Sequence, residues 1–135
     1  MKREDKELLI KDLCARLYYG VKVTTTNPAV KLGVISGISI ENKISVRTKH
    51  ADIVFDCTEV KPYLRSMSSM TEEEKKEFNN IPGTKNYQIV NGDLPWDVAN
   101  YKQIQWLLKK HFDFMGLIPK GLAIEVTKEN NPYKD

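Results

Sequence analysis

The stretch from Asn100 to Ala123 limits the architectures open to this chain more than any other feature. Four of its residues follow the i, i+3, i+4, i+7 spacing of one helix face: Ile104, Leu107, Leu108 and His111. A helix is therefore predicted to begin near Asn100, a good N-cap residue, and to end near His111. Apolar residues continue beyond that end, but two glycines and a proline interrupt them. Because this segment cannot extend the helix, it has to bury its apolar side chains against another part of the chain.

A second helix is predicted at the start of the chain, over residues 5–18. Leu9, Leu13 and Leu17 recur at i, i+4 and i+8, and Gly20 is expected to end the element. The charged residues of this segment are predicted to form its solvated face: Lys6, Lys11, Asp12 and Arg16.

Between residues 21 and 57 the hydrophobic period changes to two, which predicts four short antiparallel strands. In the second strand, Val34 and Ile38 are expected to face the core and Gly33 and Gly37 the opposite side. The predicted fold class is α+β: a small curved antiparallel sheet, or an SH3-like half-barrel, of about four strands over 21–57. An N-terminal helix and a C-terminal helical region flank it, in a single domain 1–135 whose polar tail begins at about residue 127. The predicted core is Leu9, Leu13, Leu17, Val23, Val34, Ile38, Val46, Phe55, Ile104, Leu107 and Leu108.

Between the sheet and the C-terminal helix the pattern is less regular. Lys61–Arg65 is interpreted as one turn of 3₁₀ helix, and Thr71 with Glu74 forms a capping box that predicts a helix over 72–78. Residues 79–95 carry several Asn, Pro and Gly residues, so a long connection is predicted, either functional or mobile.

Composition favours an ordinary globular protein in the cytoplasm. The net charge is +3, divided as +4 over residues 1–68 and −1 over residues 69–135, and this bias is weaker than a dense nucleic-acid footprint. The two cysteines, Cys14 and Cys57, are expected to be reduced. Neither a signal peptide nor a membrane span is predicted, since no apolar run approaches the ~20 residues that a span requires.

The sequence predicts no catalytic, cofactor or metal site. His50 and His111, with the two cysteines, lack the close ligand pairs of structural zinc sites. A nucleophile–base pair of Cys57 with His50 is conceivable across a hairpin, but both residues are better explained as parts of the sheet. The acidic run at 72–74 is explained by helix capping, and the glycines near 116–121 do not match a phosphate-binding loop.

One surface could bind nucleic acid through a combination of aromatic and basic side chains: Tyr18, Tyr19, Lys22, Arg47, Lys49 and His50. Small β-barrels bind single strands in this way. The competing interpretation is that Tyr18 and Tyr19 close the junction between the helix and the sheet, with the lysines exposed for solubility.

Two runs of the sequence resemble an uncharacterised family of small hypothetical proteins from gut Bacteroidetes and their phages and prophages. They are KPYLR…MSSMT, from Lys61 to Thr71, and HFD..GLIP.GLA, from His111 to Ala123. The chain departs from the family at Ser66, where a proline is expected, and at Phe114-Met115, where a Tyr-Arg pair is expected. The resemblance implies no known chemistry.

These two runs are predicted to contact each other in a structural joint, because neither can satisfy its own backbone as a regular helix or strand. Tyr63 and Leu64 would cover Leu117 and Ile118, and Arg65 would bind carbonyl groups at the end of the C-terminal helix.

Three functions remain compatible with the sequence. The leading hypothesis is a non-enzymatic, phage- or prophage-type interaction module that binds a host or phage protein. The second is a nucleic-acid-binding accessory protein that uses the basic N-terminal half. The third is an enzyme or small-molecule-binding protein with a pocket near the 79–95 loop. The oligomeric state is not determined by the sequence.

Overall fold

The computed structural model describes residues 1–81 and 101–134, and it has the α+β architecture that the sequence predicts. The helices are α1 (Arg3–Arg16), α2 (Glu72–Asn79) and α3 (Tyr101–Lys109). The strands are β1 (Lys22–Thr25), β2 (Gly33–Ile38), β3 (Lys43–Arg47), β4 (Asp52–Asp56), β5 (Val60–Leu64) and β6 (Ile124–Glu125). Together the strands form one curved, open, mixed sheet in the order β4-β3-β2-β1-β5-β6.

The sheet contains the four predicted strands and two more. β1 to β4 form the expected antiparallel meander, and β5 then returns to pair with β1, while β6 pairs with β5 in parallel. The interpretation of Lys61–Arg65 as a 3₁₀ turn is wrong, because residues 61–64 belong to β5 and the 3₁₀ turn lies just before it, at Cys57–Glu59. Pro62 weakens the local strand pattern, and the pairing partner of β5 is far away in the sequence. The SH3-like comparison stays a prediction.

The first hydrophobic core lies between the sheet and α1. Leu9 and Leu13 are fully buried and belong to the same cluster as Val23, Val46 and Phe55. Leu17, also predicted to be core, is 38% exposed because α1 changes into a 3₁₀ turn at Leu17–Tyr19 before Gly20 ends it with φ 68°.

The predicted solvated face of α1 is wrong for two of its four residues. Asp12 and Arg16 are 1% and 0% exposed. Leu9, Asp12, Leu13 and Arg16 follow the i, i+3, i+4, i+7 spacing of one helix face, and this face is buried. Asp12 and Arg16 were assigned to the solvated face because they are charged.

The predicted inward face of β2 is half correct. Ile35 is buried and pairs with Val46, whereas Val34 is half-buried and pairs with Arg47 on the other face of the sheet. An irregularity between Ile35 and Gly37 adds one residue to β2, so Ile38 lies opposite Ile44 and packs against the core. A bulge shifts the alternation by one residue, and strict alternation therefore misassigns Val34.

A second hydrophobic cluster joins α2, α3 and the segment after α3. Its buried residues include Phe78, Leu107, Leu108 and Phe112. The predicted capping box is present, because the Thr71 hydroxyl accepts the Glu74 amide at 3.1 Å and a Glu74 carboxylate oxygen accepts the Thr71 amide at 3.0 Å. Ile104 is half-buried against this cluster.

Helix α3 ends on His111 rather than on a glycine. His111 has φ 65°, the Phe112 amide bonds the Leu107 carbonyl at 3.0 Å, and the His111 amide bonds the Leu108 carbonyl at 3.1 Å. This is the hydrogen-bond pattern of a Schellman motif. Gly116 also has a positive φ, 80°, but it lies five residues later, directly before the turn that begins at Leu117.

The polar tail is bound to the sheet through Tyr133. The hydroxyl of Tyr133 accepts the Lys22 amide at 2.9 Å and donates to the Tyr63 carbonyl at 2.7 Å, so it bridges β1 and β5. Its ring stacks on His111 with centroids 3.7 Å apart. One aromatic residue thus anchors a tail whose composition is otherwise polar.

Two predictions fall on residues that the structure does not describe. From residue 82 onward the 79–95 connection, with any pocket beside it, lies outside the described residues, and so does the predicted N-cap Asn100.

Candidate functional site

The residues of the predicted basic-aromatic surface are brought together only in part. Lys22 of β1 and Arg47 of β3 both lie opposite Val34 of β2. The two residues are therefore in one cross-strand row, and their backbones are roughly 10 Å apart. Lys49 and His50 follow Arg47 in the turn between β3 and β4. Tyr18 is 90% exposed in the turn after α1, edge-on to Tyr19 at 5.4 Å.

Two cations of that surface already have partners within the chain. The Arg47 side chain pairs with the Asp52 carboxylate at 3.2 Å. The Lys22 ammonium donates to the Pro132 carbonyl at 2.8 Å. Tyr19 packs against the second hydrophobic cluster. Lys22, Arg47 and Tyr19 are therefore explained by the fold itself.

The other two basic residues, Lys49 and His50, border an apolar groove of about 540 Å³. We call it the loop-end groove, because the β1–β2 loop and the β3–β4 turn form its two walls. Its lining is Asn27, Ala29, Val30, Leu32, Thr48, Lys49, His50, Ala51 and Ile53. Its volume lies in the ordinary range of ligand pockets.

Two large apolar side chains of the groove remain accessible to solvent. Leu32 is 48% exposed and Ile53 is 37% exposed, whereas Val30 at the base is 3% exposed. An exposed leucine by itself needs no explanation, but two apolar residues beside a concave surface form a candidate contact site.

Hydrogen bonds hold both walls of the groove. In the β1–β2 loop, the Thr25 hydroxyl donates to the Val30 carbonyl at 2.8 Å, and the Ala29 amide donates to the Asn27 side chain at 2.9 Å. In the β3–β4 turn, the Thr48 amide and hydroxyl both donate to the Ala51 carbonyl at 2.9 Å. A surface whose loops are already ordered has less conformational entropy to lose on binding.

The two runs that carry the family resemblance lie against each other at a second place. The Arg65 amide donates to the His111 carbonyl, and the Asp113 amide donates to the Arg65 carbonyl, each at 2.8 Å. Leu64 and Leu117 are both fully buried in the first core cluster, which Ile118 also contacts.

Arg65 does not bind a helix-end carbonyl with its side chain as predicted. Its guanidinium makes two bonds to the Glu74 carboxylate, at 2.7 and 2.8 Å, and lies over the Phe112 ring at 4.3 Å. This pairing lowers the pKa of Glu74 to about 2. The side chain of Tyr63 is half-buried, and its carbonyl receives the Tyr133 hydroxyl.

The carbonyl after α3 is bound instead by Arg16, which sequence reasoning missed. Arg16 makes bonds of 2.5 and 3.1 Å to the Asp12 carboxylate and one of 2.6 Å to the Phe112 carbonyl. The Arg16 guanidinium also lies 5.4 Å from the centroid of the Phe114 ring. The sequence signal that could have identified this ion pair is the i, i+4 spacing of Asp12 and Arg16 on the helix face of Leu9. These contacts join α1 to the end of α3, so their role is structural.

A smaller cavity of about 380 Å³ lies beside the contacting runs, between Ser66–Ser68 and Asp113–Pro119. Two carboxylates line this cavity, and of these Asp113 is buried and Glu125 is exposed. Both oxygens of Asp113 accept backbone amides, from Leu117 at 2.8 Å and from Ile118 at 2.9 Å. Asp113 therefore shapes the turn and is not free to act as a base.

The residues weighed for catalysis and metal binding lie apart. His50 precedes β4 and Cys57 follows it, and the strand between them alone spans roughly 13 Å. Burial raises the pKa of the Cys57 thiol, which disfavours a nucleophilic thiolate. Within residues 1–81 and 101–134, no three His, Cys, Asp or Glu side chains are grouped so that they could hold a metal ion.

In the same ranges, no helix is both long enough and apolar enough to cross a membrane. Comparison with protein-family models, curated proteins and solved structures gives no significant match to this chain.

Proposed function

We propose that this protein is a non-enzymatic interaction module that docks a segment of another protein in the loop-end groove. The observation that carries the proposal is the combination of an apolar concave surface, exposed Leu32 and Ile53 side chains, and walls already ordered by hydrogen bonds. Together these features provide contact area at a low entropic cost.

The partner class follows from the resemblance of the two runs to proteins of gut Bacteroidetes and their phages. On that basis the partner is a protein of the host or the phage, and the module is of phage or prophage type. A cytoplasmic location fits the cysteines, since Cys14 and Cys57 are both unpaired and disulfides are rare in the cytosol.

Nucleic acid is a less well supported partner. Affinity for a phosphate backbone comes from several unpaired cations along one surface. Here the Arg47 side chain is committed to Asp52 and the Lys22 ammonium to Pro132, which leaves fewer free charges on the sheet than the sequence suggests.

Affinity purification from a gut Bacteroidetes lysate tests the proposal when a groove variant is compared with a matched control. Leu32→Asp places a charge in the groove and, because Leu32 is already 48% exposed, should leave the fold intact. Ile40→Asp is the control, since Ile40 is 100% exposed in the hairpin at the opposite end of β2.

We expect a reproducible set of proteins to bind the wild type and Ile40→Asp but not Leu32→Asp. Retention of the same set by Leu32→Asp, or no reproducible enrichment with the wild type, would overturn the proposal.

A further inference from the structure

The basic residues beside the loop-end groove differ from the two cations of the neighbouring strand β3. Lys43 pairs with Asp56 and Arg47 with Asp52, both at 3.2 Å. By contrast, within residues 1–81 and 101–134, the side chains of Lys49 and His50 make no hydrogen bond or ion pair. The same holds in those ranges for Lys31, an exposed residue between the lining residues Val30 and Leu32.

The lining of the groove also lacks negative charge. None of its nine residues is Asp or Glu. The carboxylate closest in sequence, Asp52, already accepts from the Arg47 guanidinium. The positive charges of Lys31 and Lys49 are therefore not compensated by the lining or by a direct partner in the described chain.

Unpaired cations beside an apolar surface select for a ligand that combines large apolar side chains with negative charge. The apolar walls favour burial of large apolar side chains, at about 25 cal/mol per Å². The cations favour carboxylates next to those side chains and suppress basic partners, because like charges repel.

On these grounds we infer that the occupant of the loop-end groove is an acidic segment of a protein, in which carboxylates flank one or two large apolar anchor residues. This inference rests on the proposed function and specifies its partner by chemistry. Lys49 and Lys31 supply the electrostatic selection, and Leu32, Ile53 and Val30 receive the anchors.

Fluorescence anisotropy with three labelled peptides tests the inference on the whole chain. The acidic probe is SDELDDFES, the neutral probe is SNQLNNFQS and the basic probe is SKKLKKFKS, so the Leu and Phe anchors are constant and only charge changes. A fluorescein-labelled oligothymidylate serves as an anionic probe without apolar anchors. The titrations are run at about 50 mM and about 500 mM salt, since the Debye length shortens with ionic strength.

We expect the acidic peptide to bind most tightly, by about tenfold over the neutral one at low salt, and to lose that advantage at high salt. Lys49→Glu combined with Lys31→Glu should weaken the acidic peptide by about tenfold or more. The control Lys61→Glu combined with Lys11→Glu, which changes the net charge equally at exposed lysines of β5 and α1, should not weaken it. Leu32→Asp should weaken both the acidic and the neutral peptide.

Three outcomes would overturn the inference. They are equal binding of the three peptides, no binding of the acidic peptide, and tighter binding of the oligothymidylate than of the acidic peptide. If the acidic and neutral peptides bind equally and Leu32→Asp weakens both, only the charge preference is overturned, because that result still supports a groove that docks protein segments. The purification experiment, which needs no assumption about charge, tests the proposed function separately.

Discussion

At the scale of single residues, the Asp12–Arg16 pair is the feature that most separates the structure from its sequence pattern. A buried ion pair contributes little net stability, but removal of one partner leaves a charge buried without compensation. In addition, Arg16 Nη1 is buried without a hydrogen-bond partner in the described residues, so the pair is not fully satisfied. The pair therefore fixes how α1 meets the end of α3 more than it adds stability.

Arg16→Met should lower the free energy of unfolding by about 3–5 kcal/mol, because Asp12 loses its partner and the Phe112 carbonyl loses a donor. Asp12→Leu in the same chain should restore part of the loss. Urea unfolding of the two variants measures both values. If Arg16→Met costs no more than an exposed substitution such as Lys11→Met, the buried pair is not formed.

His111 gives the protein a predictable sensitivity to acid. Burial, followed by the charges of Arg16, Arg65 and Lys22, lowers the pKa of His111 to about 4 from an ordinary value of 6.5. Protonation therefore favours the unfolded chain, and stability is full above pH 6.5 and falls as the pH decreases toward 4. Partial solvent screening limits the loss to about 1–2 kcal/mol.

The variant His111→Asn should remove this acid-dependent loss, since asparagine tolerates the positive φ of 65° but does not titrate. Urea unfolding between pH 7 and 5 isolates the effect from Glu74, because that carboxylate begins to lose its stabilising contribution only near its ordinary pKa of 4.5. An equal slope in the wild type and in His111→Asn would show that the imidazole is not responsible.

At the scale of elements, the close approach of β2 and β3 requires a residue without a side chain at Gly33. A Cβ at Gly33 would collide with Val46 Cγ1 and approach the Arg47 carbonyl oxygen at 3.0 Å. Gly33→Ala should therefore lower the free energy of unfolding by about 1–3 kcal/mol, although alanine favours strand and helix more than glycine does.

Gly37→Ala provides the matched comparison, because the nearest atom to a Cβ there is Ser45 Cβ at an ordinary 3.7 Å. Thermal unfolding should show the Gly33 variant well below the Gly37 variant. Equal melting temperatures would mean that β2 and β3 are farther apart than in this structure.

The C-terminal strap, residues 130–133, is a second element whose role can be tested. Tyr133→Phe removes the hydroxyl that serves both the Lys22 amide and the Tyr63 carbonyl, and should cost about 1–3 kcal/mol. Burial also raises the pKa of Tyr133 to about 12 from 10.0, so the wild type should lose stability between pH 10 and 12. Unfolding measured across that range should show this alkaline loss in the wild type and not in Tyr133→Phe.

At the scale of the whole molecule, the sequence predicted the elements that carry their own local signal. Alternation located β1 to β4, helical spacing located α1 and α3, and the capping box located α2. What it missed depends on contacts between distant segments. Three contacts join residues that no local pattern connects: the pairing of β5 with β1, the bond from Arg16 to the Phe112 carbonyl, and the bond from Tyr133 to the Tyr63 carbonyl.

The candidate site was likewise predicted only where residues carry a local sequence signal. Lys49 and His50 were predicted as surface residues, and they border the loop-end groove. Their apolar neighbours Val30 and Leu32 were not recognised, because both lie in the loop between β1 and β2, where no periodic pattern marks them. Only the antiparallel fold of β1 to β4 brings the β1–β2 loop to the same end of the sheet as the β3–β4 turn.

The most direct test of the central claim is an NMR titration of methyl-labelled protein with the acidic peptide SDELDDFES. We predict that the largest chemical-shift changes occur at the methyl groups of Val30, Leu32, Ala51 and Ile53, which line the loop-end groove. Changes concentrated at Met67 and Ile118, beside the smaller cavity, or no changes at saturating peptide, would contradict the claim that the groove docks an acidic segment of a protein.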